Sequence, residues 1–121
     1  MAWPPKRTAY KTGVLAEMLA VALLRVQGYR ILARRYKTPL GEIDLVIRRG
    51  QGLAFVEVKA RKTLNAALES LTPYAQQRIT RAGLRWLAEH PDYADLHIRF
   101  DFLALAPPFS WRHIKNAWEG F

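Results

Sequence analysis

The hydrophobic pattern of the chain is clearest around residues 49–52, a short polar segment between two apolar runs. The runs cover residues 41–48 and 53–59 and are rich in β-branched side chains. This pattern predicts a β-hairpin, with Gly50-Gln51 as a two-residue turn that begins with glycine. Glycine suits that position because it adopts a positive φ at little steric cost.

The turn also sets the register of the hairpin, since paired position numbers then sum to 101. Asp44 would face Glu57, and Glu42 would face Lys59. Because side chains alternate across a strand, all four would project from one face of the hairpin. Directly opposed Cβ atoms lie ~4.5–5.5 Å apart, so these charges would interact.

Facing carboxylates such as Asp44 and Glu57 repel each other unless a cation lies between them or one of them keeps its proton. The pair therefore favours a metal site, and an all-oxygen set of ligands suits Mg²⁺ or Mn²⁺. The alternative is an ordinary exposed hairpin whose carboxylates pair with Lys59 and neighbouring arginines. The residues alone leave both interpretations open.

Periodicity and capping residues predict the remaining elements. They are a helix over residues 12–27, a strand over 29–36, a loop over 60–65, a helix over 73–90, a strand over 97–105 and a final strand or helical turn over 111–118. Gly28 ends the first helix and Thr72-Pro73 begins the second. Arg99 and Asp101 would form an ion pair on one face of their strand. The order α-β-β-β-α-β-(β) indicates an α/β fold, a mixed sheet flanked by helices with a parallel crossover through the 73–90 helix.

The first predicted helix is apolar over most of its surface. Its core-facing residues are expected at helical spacing: Val14, Leu15, Met18, Leu19, Ala22 and Val26. Glu17 has apolar neighbours, and a carboxylate there is costly unless it is paired or bound to a cation. Either Glu17 reaches an arginine such as Arg30, or it joins the carboxylates of the hairpin.

Composition narrows the class of protein. The 121 residues predict one domain, residues 12–121, behind a flexible basic arm of residues 1–11. Cysteine is absent, which excludes disulfides, cysteine-ligated zinc and a thiol nucleophile. The longest nearly apolar run, residues 14–24, is too short to span a bilayer, and the N-terminus has no signal-peptide layout. A cytoplasmic protein is expected.

The net charge of +9 is unevenly distributed. Residues 1–62 carry 13 Lys/Arg and 4 Asp/Glu, whereas residues 63–121 carry 6 of each. A basic surface with its few acids in one place suits a polyanionic substrate at a metal site. The candidate nucleic-acid-binding cations are Arg34, Arg35, Lys37, Arg61, Lys62 and the helical stripe Arg78, Arg81 and Arg85. Such a stripe is also typical of an ordinary solvated helix face.

The motif Asp44, then Glu57-Val58-Lys59, resembles that of the PD-(D/E)XK nucleases, which have the restriction-endonuclease-like fold. The helical Glu17 ahead of it is similar to the archaeal Holliday-junction resolvases. The chain resembles the YraN-like family more closely over residues 12–118, in these segments: Gly13…Ala16-Glu17, Gly28-Tyr29-Arg30-Ile31-Leu32, Gly41-Glu42-Ile43-Asp44-Leu45, Phe55-Val56-Glu57-Val58-Lys59-Ala60-Arg61 and Arg99-Phe100-Asp101. It departs from that family in having Ala75-Gln76 where Lys-Gln is usual.

The resemblance implies a metal-dependent endonuclease that hydrolyses phosphodiesters in DNA, with branched or junction DNA as a candidate substrate. Asp44, Glu57 and Lys59 would be catalytic. The expected ligands of Mg²⁺ or Mn²⁺ are Asp44, Glu57, the backbone carbonyl of Val58 and Glu17. Glu42 and Gln76 would support these residues without binding the metal themselves.

Two other functions remain open from the sequence. One is a catalytically silent module that binds nucleic acid or a ribonucleoprotein, and the other is a structural interaction domain. Metal-dependent cleavage would distinguish the endonuclease from the other two functions. Salt-sensitive binding of nucleic acid would distinguish the silent binding module from the structural domain. DNA is the expected partner, no membrane is expected, and a homodimer is compatible with the sequence.

Overall fold

The computed structural model describes residues 6–121, with side chains from residue 13 onward. Its elements are α1 (Lys6–Val26), β1 (Arg30–Lys37), β2 (Glu42–Arg49), β3 (Gly52–Ala60), α2 (Leu64–Glu69), α3 (Pro73–Glu89), a short 3-10 turn (Pro91–Tyr93), β4 (His97–Ala106) and β5 (Ser110–Trp118). The predicted order of the larger elements is confirmed. Of the two options for the last segment, the chain adopts the strand.

The five strands form one sheet in the order β1-β2-β3-β4-β5. Neighbouring strands are antiparallel except β3 and β4, which are parallel. A parallel pair needs a crossover connection, which α2 and α3 supply here. The predicted mixed sheet, flanked by helices and containing a parallel crossover, is therefore confirmed.

The β2–β3 hairpin has the predicted register. Arg49 pairs with Gly52 and Leu45 with Val56, and each pair of numbers sums to 101. Gly50 has φ +58°, in the left-handed region that a turn beginning with glycine requires. The paired residues run from Leu45 to Arg49 on β2, so Asp44 lies just beyond the last pair.

A hydrophobic core lies on each face of the sheet, because the central strands are apolar on both sides. On one face Leu24 of α1 clusters with Val56. On the other face Trp86 of α3 clusters with Phe55. Gly83 lets α3 approach closely there, since a Cβ atom at that position would lie 3.0 Å from the Phe55 ring.

The face of α1 that packs on the sheet differs from the predicted one. Leu15, Met18 and Val26 are 65%, 61% and 87% exposed, and the buried residues are Ala16, Ala20, Val21 and Leu24. Of the predicted core residues, Leu19 does pack against this core. The prediction was wrong for the exposed residues because α1 is apolar on nearly all sides, so spacing alone does not select a face. Ala16 and Ala20 are small, which lets the helix lie close to the sheet. None of the helices in residues 6–121 has both the length and the apolar character needed to cross a bilayer.

Two boundaries also differ from those predicted. The chain is already helical at Lys6, so residues 6–11 of the expected arm belong to α1, and residues 1–5 lie outside the described part of the chain. The short helix α2 begins within the segment expected to be a loop, and the Thr63 hydroxyl caps it by accepting the Ala66 N–H at 3.1 Å. A helix of 6 residues is too short to show a periodic pattern.

A buried polar network joins β5 to β4. The predicted ion pair is present, with Arg99 nitrogens 2.9 and 3.1 Å from the Asp101 carboxylate. Asp101 is fully buried and also accepts from His113 Nε2 at 2.8 Å and from the Asn116 N–H at 2.9 Å. Burial alone would raise the pKa of Asp101, but these hydrogen bonds outweigh it and the pKa is lowered. The network therefore holds Asp101 as an anion.

Candidate active site

A cleft of about 330 Å³ opens where the unpaired end of the β2–β3 hairpin meets the first two turns of α3. The hairpin lines one side and α3 the other, with Glu42, Asp44, Glu57 and Lys59 facing Tyr74, Ala75, Arg78 and Ile79. The structure thus brings together all four hairpin charges that the register argument placed on one face. We call these two sides the floor and the wall of the cleft.

At the open end of the hairpin, the Asp44 side chain takes the place of a backbone hydrogen-bond acceptor. Its Oδ2 atom accepts a hydrogen bond from the Val58 N–H at 2.7 Å. This bond satisfies an N–H that the strand ladder leaves unpaired, and it fixes the orientation of the carboxylate. Sequence reasoning expected Val58 to take part through its carbonyl and missed this role of its N–H.

The surroundings of Glu57 in the cleft raise the pKa of its carboxyl group. Burial is the main cause that raises the pKa of Glu57 to about 9, followed by a hydrogen bond to Asp44 and by its negative charge. Glu42 raises that pKa further, and Lys59 acts in the opposite direction. A raised pKa favours the protonated form of Glu57, and a proton is one of the two ways, beside a cation, to relieve facing carboxylates.

The floor and the wall are held in contact at Gly41, in the turn that precedes β2. A Cβ atom on Gly41 would lie 2.1 Å from the carbonyl oxygen of Arg78. Only a residue without a side chain lets the turn pack directly against the backbone of α3. The contact places the half-buried Arg78 side chain in the cleft, where it adds a second cation to that of Lys59.

Glu17 does not join this cluster. Its Oε2 atom lies 2.6 Å from Nε of Arg35. Glu17 belongs to α1, which packs against the face of the sheet opposite to α3. Of the two alternatives left open by the sequence, the structure shows the ion pair with an arginine, and Arg35 takes the place expected of Arg30. Glu17 is not among the residues that line the cleft, and the ligand role expected of it stays a prediction.

The other predicted cations do not line the cleft. Arg34, Lys37, Lys62 and Arg81 are exposed. Arg61 is half-buried and donates to its neighbour's carbonyl, that of Ala60, at 2.8 Å. Arg85 is paired with Glu89, which also accepts the hydroxyl of Tyr36. These cations therefore differ in their freedom to meet a ligand.

The wall of the cleft differs in detail from the sequence expectation. Gln76 is half-buried but is not a lining residue, and its backbone carbonyl accepts the Thr80 hydroxyl at 2.8 Å. Tyr74 does line the cleft and was not predicted. The signal was available, because Tyr74 is four residues before Arg78 and so lies on the same side of the helix.

The carboxylates fit a magnesium or manganese ion. Mg²⁺ commonly takes one or two protein carboxylates and keeps several waters, so Asp44 and Glu57 form a sufficient set. A divalent cation beside them would favour the ionised form of Glu57. Among the side chains described, no three His, Cys, Asp or Glu residues converge on one metal-sized position. The donor set is thus limited to this pair, backbone oxygens and water.

Fold and site together define a mixed α/β protein with a paired-carboxylate cleft at the open end of a β-hairpin. The chain belongs to Uncharacterised protein family UPF0102, whose model matches residues 16–105. This confirms the YraN-like resemblance seen in the motifs.

The relatives extend over almost the whole chain. A UPF0102 protein of Parvibaculum lavamentivorans is 54% identical, with 92% of this chain and 84% of the relative covered. The UPF0102 protein bll0669 of Bradyrhizobium diazoefficiens is 49% identical, with 98% and 90% covered. A UPF0102 protein of Chelativorans sp. is 50% identical, with 92% and 90% covered.

Proposed function

We propose that this protein is a metal-dependent nuclease that hydrolyses phosphodiester bonds in DNA, as the PD-(D/E)XK motif resemblance implies. One observation carries the proposal: the carboxylates of Asp44 and Glu57 lie in one cleft with the cations Lys59 and Arg78. Carboxylates that repel each other are costly to keep for the fold alone. A divalent cation and a phosphate would satisfy every charge of the cleft.

Asp44 and Glu57 would hold Mg²⁺ or Mn²⁺, and the Val58 N–H would keep Asp44 oriented. Bound there, the metal would supply Lewis acidity toward the phosphoryl group and toward the attacking water. Oriented carboxylates favour catalysis because little reorganisation is needed at the moment of reaction. Glu42, also on the floor, would be a neighbour of Lys59 and would not bind the metal.

Lys59 is the residue of the floor suited to act on the substrate. Its ammonium group would orient the attacking water and stabilise the negative charge that grows on the phosphate in the transition state. Arg78 on the wall would neutralise a phosphate oxygen from the other side. The exposed cations Lys37, Lys62 and Arg81 would hold the flanking backbone, whereas Arg34 pairs with Leu45 on the face of the sheet that α1 covers.

A cleavage assay tests the proposal directly. Purified protein would be incubated with single-stranded, duplex, flap and four-way-junction DNA in the presence of Mg²⁺ or Mn²⁺. We expect cleavage of at least one substrate, lost on adding EDTA and lost in Asp44→Asn and Lys59→Ala. Glu69→Gln is the matched control, because it removes an exposed carboxylate that does not line the cleft.

Two results would overturn the proposal: no cleavage of any substrate with either metal, or cleavage that persists in Asp44→Asn. In the first case, salt-sensitive binding of the same DNA would support the alternative, a nucleic-acid-binding module without activity. The uneven charge favours that alternative, since residues 1–62 carry the whole net charge of +9.

A further inference from the structure

Tyr74 is an exposed aromatic residue at the mouth of the candidate active site. Its side chain is 69% exposed although it lines the cleft. The Arg78 guanidinium lies over the ring, with Cζ 5.7 Å from the ring centroid. The two residues are one helical turn apart on α3, and both line the cleft that holds the carboxylates.

Packing does not account for this tyrosine, because Tyr74 belongs to none of the hydrophobic clusters of the described residues. Single exposed aromatic residues are common on proteins. Phe109, 90% exposed in the turn between β4 and β5, is an example that lies outside the cleft. Tyr74 differs because its ring stands beside a cation and shares a cleft with three carboxylates and a lysine.

We propose that Tyr74 and Arg78 form a stacking platform for an unpaired nucleobase next to the phosphate held above Asp44 and Glu57. The inference rests on the proposed function and names its substrate class: DNA that is single-stranded at or beside the scissile phosphate, including the unpaired arms of branched molecules. Aromatic rings and guanidinium planes bind nucleobases through their faces and tolerate any sequence.

The chemistry excludes intact duplex as the preferred substrate. Within a duplex both faces of each base are covered by neighbouring bases, so only phosphates and groove edges are accessible. A platform at the cleft can reach a base face only where a nucleotide is unstacked. The cleft would therefore discriminate by the cost of unstacking, which is smallest for bases that are already unpaired.

The platform is set at a fixed distance from the floor. Gly41 packs against the Arg78 backbone, and the Thr72 hydroxyl caps the helix by accepting the Ala75 N–H at 3.1 Å. The first turns of α3 are thus anchored at two points close to Tyr74. A base on the platform and a phosphate at the carboxylates would be held together as parts of one nucleotide segment.

The test compares binding of three fluorescent DNAs in Ca²⁺: a single strand, its duplex, and the single strand with one abasic position moved along it. The proteins would be the parent, Tyr74→Ala, Tyr74→Phe and the matched control Phe109→Ala. We expect Tyr74→Ala to weaken single-strand binding about 5- to 150-fold. Tyr74→Phe, which keeps the ring, and Phe109→Ala should bind as the parent does. One abasic position should reproduce the loss in the parent and add nothing in Tyr74→Ala.

Equal binding of the single strand by Tyr74→Ala and the parent would overturn the platform, as would parent binding that favours duplex over single strand. Circular dichroism of Tyr74→Ala establishes that a loss does not come from unfolding. If the parent cleaves DNA in Mg²⁺ while Tyr74→Ala binds and cleaves normally, the platform fails and the nuclease proposal stands. If the parent neither binds nor cleaves any of the DNAs, both fail.

Discussion

Gly41 and Arg78 are in backbone contact, so close that a Cβ atom on the glycine would lie 2.1 Å from the arginine's carbonyl oxygen. We predict that Gly41→Ala forces α3 away from the hairpin and lowers the free energy of unfolding by roughly 1–3 kcal/mol, as other overpacked sites do. Urea denaturation measures the loss. Metal and DNA binding should weaken with it.

Gly13→Ala is the control for that substitution. Gly13 lies in α1, is exposed, and has no atom within 4 Å of an added Cβ. Alanine there should leave stability unchanged or raise it by up to about 1 kcal/mol, because glycine is a poor helix former. Equal behaviour of the two variants would mean that the Gly41 contact does not hold the cleft.

Glu57→Gln should stabilise the metal-free protein at neutral pH. The pKa of Glu57 rises from its ordinary value of 4.5 to about 9 on folding, so the folded state binds more protons between these values. The contribution of Glu57 to the free energy of unfolding is therefore fully present below pH 4.5 and is lost as the pH rises toward 9. Glutamine cannot ionise, and the gain at pH 7 should be roughly 1–3 kcal/mol and vanish near pH 4.

Thermal melts of Glu57→Gln and parent across pH 4–8 check this, with Glu69→Gln as control. If the parent loses no stability between pH 5 and 8 relative to Glu57→Gln, the raised pKa of Glu57 is contradicted. In the same melts Mn²⁺ should stabilise the parent increasingly as pH rises, because metal binding displaces the proton. It should not stabilise Asp44→Asn.

Asp101→Asn should be among the most destabilising substitutions in the chain. It removes one partner from a fully buried ion pair and leaves Arg99 and His113 facing a neutral group. Losses at such sites are roughly 3–5 kcal/mol. Because the pKa of Asp101 is lowered on folding, its contribution is present above the unfolded value and disappears as pH falls through the folded one. Denaturant melts at pH 7 should show the full loss, and melts at pH 2–3 a smaller one. The exposed Asp95→Asn is the control.

Glu17→Gln tests whether the carboxylate of Glu17, on α1, takes part in metal binding. Since Glu17 pairs with Arg35 away from the cleft, the substitution should leave the Mn²⁺-induced shift in melting temperature unchanged. The loss of the ion pair itself should cost no more than about 1 kcal/mol, because Arg35 is half exposed. Loss of Mn²⁺ protection would return Glu17 to the ligand set.

Arg61 and Lys62, which follow β3, should contribute to DNA binding, whereas Lys59 on the floor should contribute to cleavage. Arg61→Ala with Lys62→Ala should weaken DNA binding and lower the log–log salt slope by about 2 units, because each lost phosphate contact removes about one. Lys59→Ala should leave binding near normal and abolish cleavage, since its role is confined to the transition state. If Lys59→Ala weakens binding as much as the double variant and the parent cleaves nothing, Lys59 is one more phosphate contact.

The sequence predicted those parts of the site that depend on local geometry. A glycine in a short turn fixes the register, and the two-residue period of a strand then places Asp44 and Glu57 on one side. It could not predict the Val58 N–H bond, because that bond exists only where β2 leaves β3. The partner of Glu17 was also beyond reach, since several arginines lie at suitable distances along the chain.

The errors in the fold have the same origin. α1 is apolar on most sides, so Leu15 and Met18 fit a core pattern as well as Ala20 and Leu24 do. What decided between them was the shape of the sheet surface, which no window of sequence contains. The contact of His113 with Asp101 likewise depends on how β5 pairs with β4.

The four charged residues of the floor lie between positions 42 and 59, within a single hairpin, while most of the core residues lie outside it. The side chains that give the cleft its charge are therefore not the ones that form the core. One nucleotide change at Asp44 or Lys59 could silence the site in a descendant without disturbing its folding. A UPF0102 relative that lacks either residue would then be a natural experiment, a scaffold kept by selection for binding alone.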